Sequence, residues 1–188
     1  SCDRASVPAN QRTARTYDPM NRVASVTFPD GLGNQTWVYT PDGLVANMTV
    51  ANAGGASVST TVLYNRLRLP YSDQQQQTGH PGLTFTYGYN ALGHLSSITY
   101  PSGLAVDYAP NALGQATRAG TFATGVQYYP NGAIRQFTYG NGLVHQMVQN
   151  GRQLPDTITT TFGTTEVQND GYDYDGNGNV AAISDGLQ

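Results

Sequence analysis

Charged residues are scarce in this 188-residue chain, and lysine is absent altogether. Charged side chains make up 11% of the sequence, all nine basic residues are arginine, and the formal net charge is −3. Nucleic-acid binding needs concentrated positive charge on one surface, so this composition argues against a nucleic acid as a partner. No apolar run approaches the roughly 20 residues of a membrane-spanning helix, which predicts no membrane span.

Cysteine and glutamate each occur once, at Cys2 and Glu166. A single cysteine excludes an internal disulfide framework. Because there is only one glutamate, a catalytic pair of carboxylates would have to come mainly from the aspartates, and most of these stand in turns or at repeat starts. Catalysis by a serine or cysteine nucleophile needs a supporting histidine and carboxylate, and no motif places these together. The sequence therefore predicts that the chain is not an enzyme.

Histidine occurs three times, at His80, His94 and His145, and the three are far apart in unlike parts of the sequence. None stands in a spacing that would place two imidazoles at one metal site. His94 occupies a position that Arg22 and Gln115 hold in similar stretches of the chain, so we predict a tolerated surface residue there.

Glycine and tyrosine are abundant where charged residues are few, with 22 and 13 copies. Tyrosine and threonine fit a pleated sheet, while glycine and asparagine serve tight turns. No stretch combines apolar residues at three-and-four spacing with a helix cap and a glycine stop. The composition therefore predicts an all-β fold.

A tyrosine-headed unit recurs along the chain. Its clearest copy runs from Tyr89 to Gly103, where a glycine turn, a strand of alternating character and a Pro-X-Gly turn follow the tyrosine. Repeats of this length predict an array in which no unit buries its apolar face alone. The heading tyrosines are Tyr17, Tyr39, Tyr64, Tyr89, Tyr108, Tyr129 and Tyr174, separated by 22, 25, 25, 19, 21 and 45 residues, the last gap being about two periods.

About fourteen short strands joined by tight turns would form one antiparallel β-hairpin ribbon. Sheets wider than about ten strands curl or split, so we predict a coiled or curved ribbon. Residues 1–16 lack the repeat and are predicted to be a partly mobile lead-in, and the array occupies 17–188. Residues 66–82 break the rhythm with a glutamine run and a Gly-His-Pro-Gly stretch, which predicts an exposed loop insertion.

The tyrosine-headed units resemble the YD repeats of the RHS (rearrangement hotspot) family, which also occur in shell-forming subunits of Tc toxins and in teneurins. The resemblance covers roughly residues 17–186 and depends on seven registered copies with Pro-X-Gly spacers. No C-terminal toxin and no segment with self-cleaving aspartates is recognisable. The stretches that carry the resemblance are Tyr17-Asp18 with Asn21-Arg22-Val23, Tyr89–Leu95 with Ile98–Gly103, and Tyr172–Asn179.

The resemblance implies a β-strip that spirals into a hollow shell, often around a toxic domain, in a secreted or surface setting in bacteria. It implies a structural wall segment that encloses or scaffolds a toxin or effector, as in polymorphic toxins, without chemistry of its own. The implied partners are other repeats, the remainder of the shell and a cargo. Open edge strands at the ends of such a ribbon also predict self-association.

A second hypothesis uses the aromatic residues for binding. Phe85, Tyr87 and Tyr89 alternate with small polar residues, so they share one face of a strand. Exposed aromatic rows can hold sugar rings, which makes a carbohydrate-binding or adhesive module the alternative function. Its predicted ligand surface is Tyr87, Tyr89, Tyr100 and Tyr108.

One segment has the form of half a calcium loop. Asp173, Asp175, Asn177 and Asn179 place oxygen ligands at alternate positions, as calcium-binding loops do. The twelfth position holds Ser184 instead of a bidentate glutamate, and no helices flank the segment. Calcium is the one candidate cofactor, and the alternative is a polar turn whose side chains bond their own backbone.

Overall fold

The structure is a computed structural model that describes residues 7–187. Within this range the chain forms two antiparallel sheets, in which every strand is hydrogen-bonded to its neighbours in sequence. Short 3-10 turns lie at Ala9–Gln11 and Ala53–Gly55, and no helix of the described chain is long and apolar enough to cross a membrane.

The first sheet has nine strands and the second has six. The strands of the first sheet are β1 (Ala14–Tyr17), β2 (Val23–Thr27), β3 (Asn34–Tyr39), β4 (Val45–Ala51), β5 (Ser57–Tyr64), β6 (Pro70–Gln77), β7 (Leu83–Tyr89), β8 (Leu95–Thr99) and β9 (Ala105–Asp107). Those of the second sheet are β10 (Ala123–Tyr128), β11 (Ile134–Tyr139), β12 (Val144–Gln149), β13 (Pro155–Phe162), β14 (Thr165–Tyr174) and β15 (Val180–Asp185).

The all-β fold built from successive hairpins confirms the prediction. The strands are only three to ten residues long because turns interrupt the chain, and within each sheet successive strands pair with one another. The strands fall into two sheets rather than one, as expected for a sheet that would otherwise exceed about ten strands.

The predicted loop insertion at 66–82 is wrong over its central part. Residues 70–77 form β6, which pairs with both β5 and β7; Gln75, for example, lies opposite Thr60 on one side and Leu83 on the other. The glutamine run shows no apolar alternation because its side chains are exposed to solvent. A strand held by backbone hydrogen bonds on two sides does not need that alternation.

The predicted lead-in at 1–16 also ends earlier than expected, since β1 begins at Ala14 and pairs with β2. The sequence pattern missed this strand because all four of its residues are exposed. Residues 1–6, where the prediction of mobility also fell, lie outside the described residues.

The described chain divides into two compact units, residues 7–87 with 99–104, and residues 88–98 with 105–187. Each has a thin core. In the described part of the first unit Val26 is the buried hydrophobic residue, and in that of the second Val106 and Met147 are buried. The buried hydroxyl of Thr160 donates a hydrogen bond to Gln168 Oε1 over 2.8 Å. Most large apolar side chains are therefore half-buried or exposed, and the hairpins depend strongly on local hydrogen bonds.

Candidate functional site

A five-residue turn of one form recurs eleven times between the described strands. Three copies span 100–104, 119–123 and 139–143, and we call the other eight the tip turns. In each, the N–H of the first residue donates to the carbonyl of the fifth, and the N–H of the fourth donates to the carbonyl of the first. Within each sheet, every second connection of the meander lies at the same edge. The tip turns span 18–22, 40–44, 65–69, 90–94, 111–115, 129–133, 150–154 and 175–179.

The fourth residue of every tip turn has a positive φ. This left-handed conformation suits glycine, which has no Cβ to clash with the backbone. Glycine occupies the position in five turns, with φ near 90° at Gly132 and Gly178. Asn21, Arg68 and Gln153 hold it in the other three. The recurring glycines of the sequence are therefore explained by one backbone requirement.

The first residue of a tip turn fixes the turn through its side chain. In six of the eight turns an aspartate or asparagine accepts hydrogen bonds from the backbone N–H groups of the third and fifth residues. In the turn at Asn90, for example, Oδ1 accepts from Leu92 and His94 over 3.0 and 2.9 Å. The six residues are Asp18, Asn65, Asn90, Asn111, Asn150 and Asp175.

Side chains join neighbouring tip turns in the first unit. The guanidinium of Arg22 pairs with Asp18 at 2.6 Å and lies over the Tyr39 ring, 4.2 Å from its centroid. Its hydrogen bond holds the pKa of Asp18 below the usual range. Arg68 pairs with Asp42 at 3.3 Å and donates to its carbonyl over 3.0 Å. Arg22 also lies beside Gly43, where an added Cβ would stand 3.6 Å from Nη1, so Arg22 and Arg68 both lie against the turn at 40–44.

Side chains also join neighbouring tip turns in the second unit. Arg152 donates to the carbonyls of Asp175 and Gly176 over 2.9 and 3.2 Å. The ring of His94 lies against Gly114, so close that a Cβ there would stand 3.1 Å from it. His94 is half-buried rather than a free surface residue, which corrects the prediction for this position. The contact was not visible in the sequence because it depends on which turns are neighbours.

Tyrosine hydroxyls tie strands together across the sheets. The hydroxyl of Tyr39 donates to the carbonyl of Val23 over 2.8 Å, and that of Tyr64 donates to Val45 over 2.9 Å. In the second unit Tyr129 donates to the carbonyl of Met147 over 2.9 Å. These tyrosines combine an apolar ring with a satisfied polar end, and their observed role is structural.

The tyrosines predicted as a ligand surface fall in both units. Tyr87 and Tyr100 belong to the first unit, and Tyr89 and Tyr108 to the second. Tyr100 is the exposed one, with 36% of its surface accessible, and its ring packs edge-on against Phe85 at 5.8 Å between centroids. The other three are half-buried. The prediction of a ligand surface stays a prediction.

Tyr87 lies in a partly desolvated environment. Burial is the main cause that raises the pKa of its hydroxyl, and the nearby Asp73 and Tyr100 add to it. Asp73 stands opposite Phe85 in the β6–β7 pair, and its buried Oδ1 has no hydrogen-bond partner among the described residues. This is a local electrostatic feature that the sequence pattern did not indicate.

The predicted calcium ligands lie at the last tip turn. Asp175 Oδ1 accepts from the N–H groups of Asn177 and Asn179, and Oδ2 accepts from Asn179 Nδ2, each over 2.9 Å. These bonds, led by the Asn179 side chain, lower the pKa of Asp175. Within residues 7–187 no three histidine, cysteine or acidic side chains converge as metal ligands. The geometry is that of the self-bonded turn, and the calcium hypothesis stays a prediction.

Two of the surface grooves, one in each unit, show what the chain offers for chemistry. One of about 350 Å³ in the first unit is lined by Val58, residues 75–77, His80 and Leu83. The other, of about 220 Å³ in the second unit, is almost wholly apolar and includes Tyr108, Tyr128 and Phe137. Neither lining contains a carboxylate, so neither offers an acid–base pair.

Comparison with known proteins identifies the fold. No family model matches the sequence, and no curated protein matches it. Among solved structures, TcdB2-TccC3-TEV matches at 16% identity with a TM-score of 0.64, covering 94% of this chain. The Photorhabdus luminescens Tc holotoxin pore with a mutated TccC3 matches at 17% identity with a TM-score of 0.65, also over 94%.

The chain shares the fold of a stretch of these toxin chains. It spans 11% of the length of each of the two matched chains. A crystal structure of TcdB2-TccC3 gives the same result, with 17% identity, a TM-score of 0.63 and 12% of that chain covered. The match confirms the β-ribbon architecture and agrees with the resemblance to shell-forming Tc subunits noted from the tyrosine-headed units.

Proposed function

We propose that the chain is a structural wall segment of an RHS-type encapsulating shell, which encloses or scaffolds a toxin or effector and performs no chemistry of its own. The observation that carries the proposal is the tip turn, which has the same backbone hydrogen bonds in eight copies and is joined to a neighbouring turn by side-chain contacts within each unit. Such repetition suits an extended wall, because each added hairpin can pair with the hairpin before it.

The thin core supports the same role. A compact enzyme or binding domain usually gathers its apolar side chains into one interior, whereas many large hydrophobic side chains of this chain remain exposed on strands and turns. A wall has two faces, and further repeats, the rest of the shell or a cargo would cover them. The proposed setting is therefore a secreted or surface-associated bacterial toxin system, and one of the matched structures is a Tc holotoxin pore from Photorhabdus luminescens.

The first test is the coding sequence on both sides of residues 1–188. Further tyrosine-headed units with a separate domain beyond them support a wall around a cargo, and a gene that lacks both contradicts enclosure. Limited proteolysis of the gene product then measures protection of that separate domain. Deleting the β11–β12 hairpin, residues 134–149, should make the domain more accessible to protease. The control is Gly151→Ala, at an exposed turn position where an added Cβ meets no atom within 4 Å.

The alternative is a carbohydrate-binding or adhesive module centred on Tyr100. Its support is the exposed ring beside Phe85, with the unpartnered Asp73 oxygen near Tyr87 on the same unit. A glycan array tests it: binding that Tyr100→Ala abolishes and Tyr71→Ala retains would favour this function. Tyr71 is a matched control because it is also an exposed tyrosine of the first unit. Absence of binding to every glycan would leave the wall proposal as the better one.

A further inference from the structure

A half-buried carboxylate of the first unit lacks a partner. Asp73 lies on β6, a strand paired on both sides, and its Oδ1 is shielded from solvent without a hydrogen-bond partner among the described residues. The ion pairs of this unit use other aspartates, Asp18 with Arg22 and Asp42 with Arg68. A buried charged oxygen is costly to leave unpaired, so Asp73 has room for a partner that the described chain does not supply.

Three aromatic rings lie beside this carboxylate. Asp73 stands directly opposite Phe85 in the β6–β7 pair, and opposed residues point to the same face of a sheet with Cβ atoms about 5 Å apart. Tyr87 is two positions along β7 from Phe85 and therefore shares that face. Tyr100 packs edge-on against Phe85, at 5.8 Å between ring centroids. These four side chains all belong to the first unit, and we call them the Asp73 cluster.

The electrostatics of the Asp73 cluster favour a cation. Burial is the main cause that raises the pKa of the Tyr87 hydroxyl, and Asp73 and Tyr100 add to it. That hydroxyl therefore stays protonated, and the negative charge of the cluster lies on Asp73. The faces of aromatic rings attract cations placed within about 6 Å of the ring centroid. The carboxylate and the neighbouring rings thus favour the same kind of ligand, one that carries a positive charge.

The partial exposure of the cluster indicates which cation fits. Tyr100 is 36% exposed and the other three residues are half-buried, so a ligand reaches the rings from solvent but loses part of its hydration there. An ammonium group is compact and strongly hydrated, whereas a guanidinium group is more weakly hydrated and stacks on aromatic faces. A guanidinium group also pairs with a carboxylate through two parallel N–H groups. The environment therefore favours guanidinium over ammonium.

We propose that the Asp73 cluster binds the guanidinium group of an arginine side chain from a protein partner, with Asp73 accepting its N–H groups and the rings of Tyr87 and Tyr100 against its plane. Sites for small molecules usually bury most of the ligand. This cluster lies open on a sheet face, which suits a side chain that another protein presents. The inference goes beyond both functions proposed above, since it requires neither an enclosed cargo nor a bound glycan.

An NMR titration of the full chain, labelled with nitrogen-15, provides the first test. The probe is the peptide acetyl-Gly-Arg-Gly-amide, and the amide signals of Asp73, Tyr87 and Tyr100 should shift as it is added. The same peptide with citrulline, which has a similar shape but no charge, should cause no shift. A lysine peptide should bind several-fold more weakly. Equal shifts with citrulline would overturn the proposal, and equal binding of the lysine peptide would contradict the assignment to guanidinium.

Substitutions with matched controls test the two parts of the site. Asp73→Asn should weaken binding of the arginine peptide by about tenfold or more, because charge-assisted hydrogen bonds are lost. Asp30→Asn removes the same charge from an exposed turn of the first unit and retains the acceptor for the N–H of Leu32, so it should bind like the wild type. Tyr100→Leu should weaken binding by about three- to tenfold, whereas Tyr17→Leu, at another exposed tyrosine of this unit, should not.

The stability of the free chain separates binding from a purely structural role. Asp73→Asn removes an unpaired buried charge, so without peptide this variant should be at least as stable to urea as the wild type. A lower urea midpoint would show that the carboxylate supports the fold and would overturn the inference. A wild-type chain that binds no arginine peptide at any concentration would overturn it as well and leave the wall function standing. Binding of a neutral glycan alone, retained in Asp73→Asn, would favour the carbohydrate alternative instead.

Discussion

At the scale of single residues, the aspartate or asparagine that opens a tip turn acts through its side-chain oxygen. That oxygen satisfies two backbone N–H groups that a tight turn would otherwise leave to solvent, as at Asn65 and Asn150. Both residue types serve because both present an acceptor at the same place. The shared acceptor explains why either aspartate or asparagine can stand at this position while the turn geometry stays the same.

Asn90 provides a direct test of this role. Asn90→Ala removes the acceptor for the N–H groups of Leu92 and His94, and we expect a loss of about 1–2 kcal/mol in the free energy of unfolding. Asn90→Asp keeps the acceptor and should change the stability by less than about 0.5 kcal/mol. Urea unfolding of the two variants measures the difference, and equal destabilisation by both would contradict the assigned role.

The calcium hypothesis is also a statement about single residues. If Asp173, Asp175, Asn177 and Asn179 bind calcium, the metal stabilises the folded state by mass action and raises the thermal midpoint over that in a chelator. Asp175→Ala should abolish the rise, and magnesium should not reproduce it. Equal midpoints in calcium and chelator would show that the turn is satisfied by its own hydrogen bonds.

At the scale of strands and turns, the sequence predicted the element type better than the boundaries. Gly93 and Gly103 mark turns that the structure confirms, because a left-handed backbone leaves a plain glycine signal. β6 was missed because a strand with exposed side chains carries no alternation, although its backbone is paired on both sides. Periodicity reports burial, and where burial is slight the signal disappears even though the strand remains.

Two glycines in turns of the second unit, Gly140 and Gly151, differ in how tightly they are packed. Neither has a positive φ, so replacing them with alanine tests packing without backbone strain. A Cβ at Gly140 would overlap the carbonyl oxygen of Thr121 and crowd Phe122 Cα, whereas one at Gly151 meets no atom within 4 Å. Gly140→Ala should therefore destabilise the fold by about 1–3 kcal/mol. Gly151→Ala should be neutral or stabilising by about 0.4–1 kcal/mol, through the unfolded state. Thermal and urea unfolding compare the two, and similar effects would refute the packing argument.

At the scale of the whole molecule, much of the fold was predictable because the same pattern of turn and strand residues recurs along the chain. What the sequence could not supply is the set of contacts between turns, such as Arg152 with Asp175 or His94 with Gly114, since these join residues 20 or more positions apart. The same limit applies to the candidate site. The tyrosine register was predictable, but the contacts of Asp73 and Tyr87 depend on the pairing of β6, which was not.

Charge at the level of the whole chain sets how stability should respond to acid. Burial between strands lowers the pKa of His145 below its ordinary 6.5, and its ring lies 4.9 Å from that of Phe137. The unfolded chain therefore takes up this proton first, and stability should decline as the pH falls below about 6.5. Asp18, Asp107 and Asp175 have lowered pKa values because of hydrogen bonds in the fold.

The stabilisation from these carboxylates is fully present above their unfolded pKa of about 3.9 and is lost as the pH falls through the folded values. Urea midpoints between pH 8 and pH 2.5 should thus show two declines, one beginning near 6.5 and one below about 4. His145→Gln should remove the upper decline alone, while His80→Gln, in an exposed turn, should retain it. An upper decline that persists in His145→Gln would contradict this assignment, because it would mean that another group in the fold is responsible.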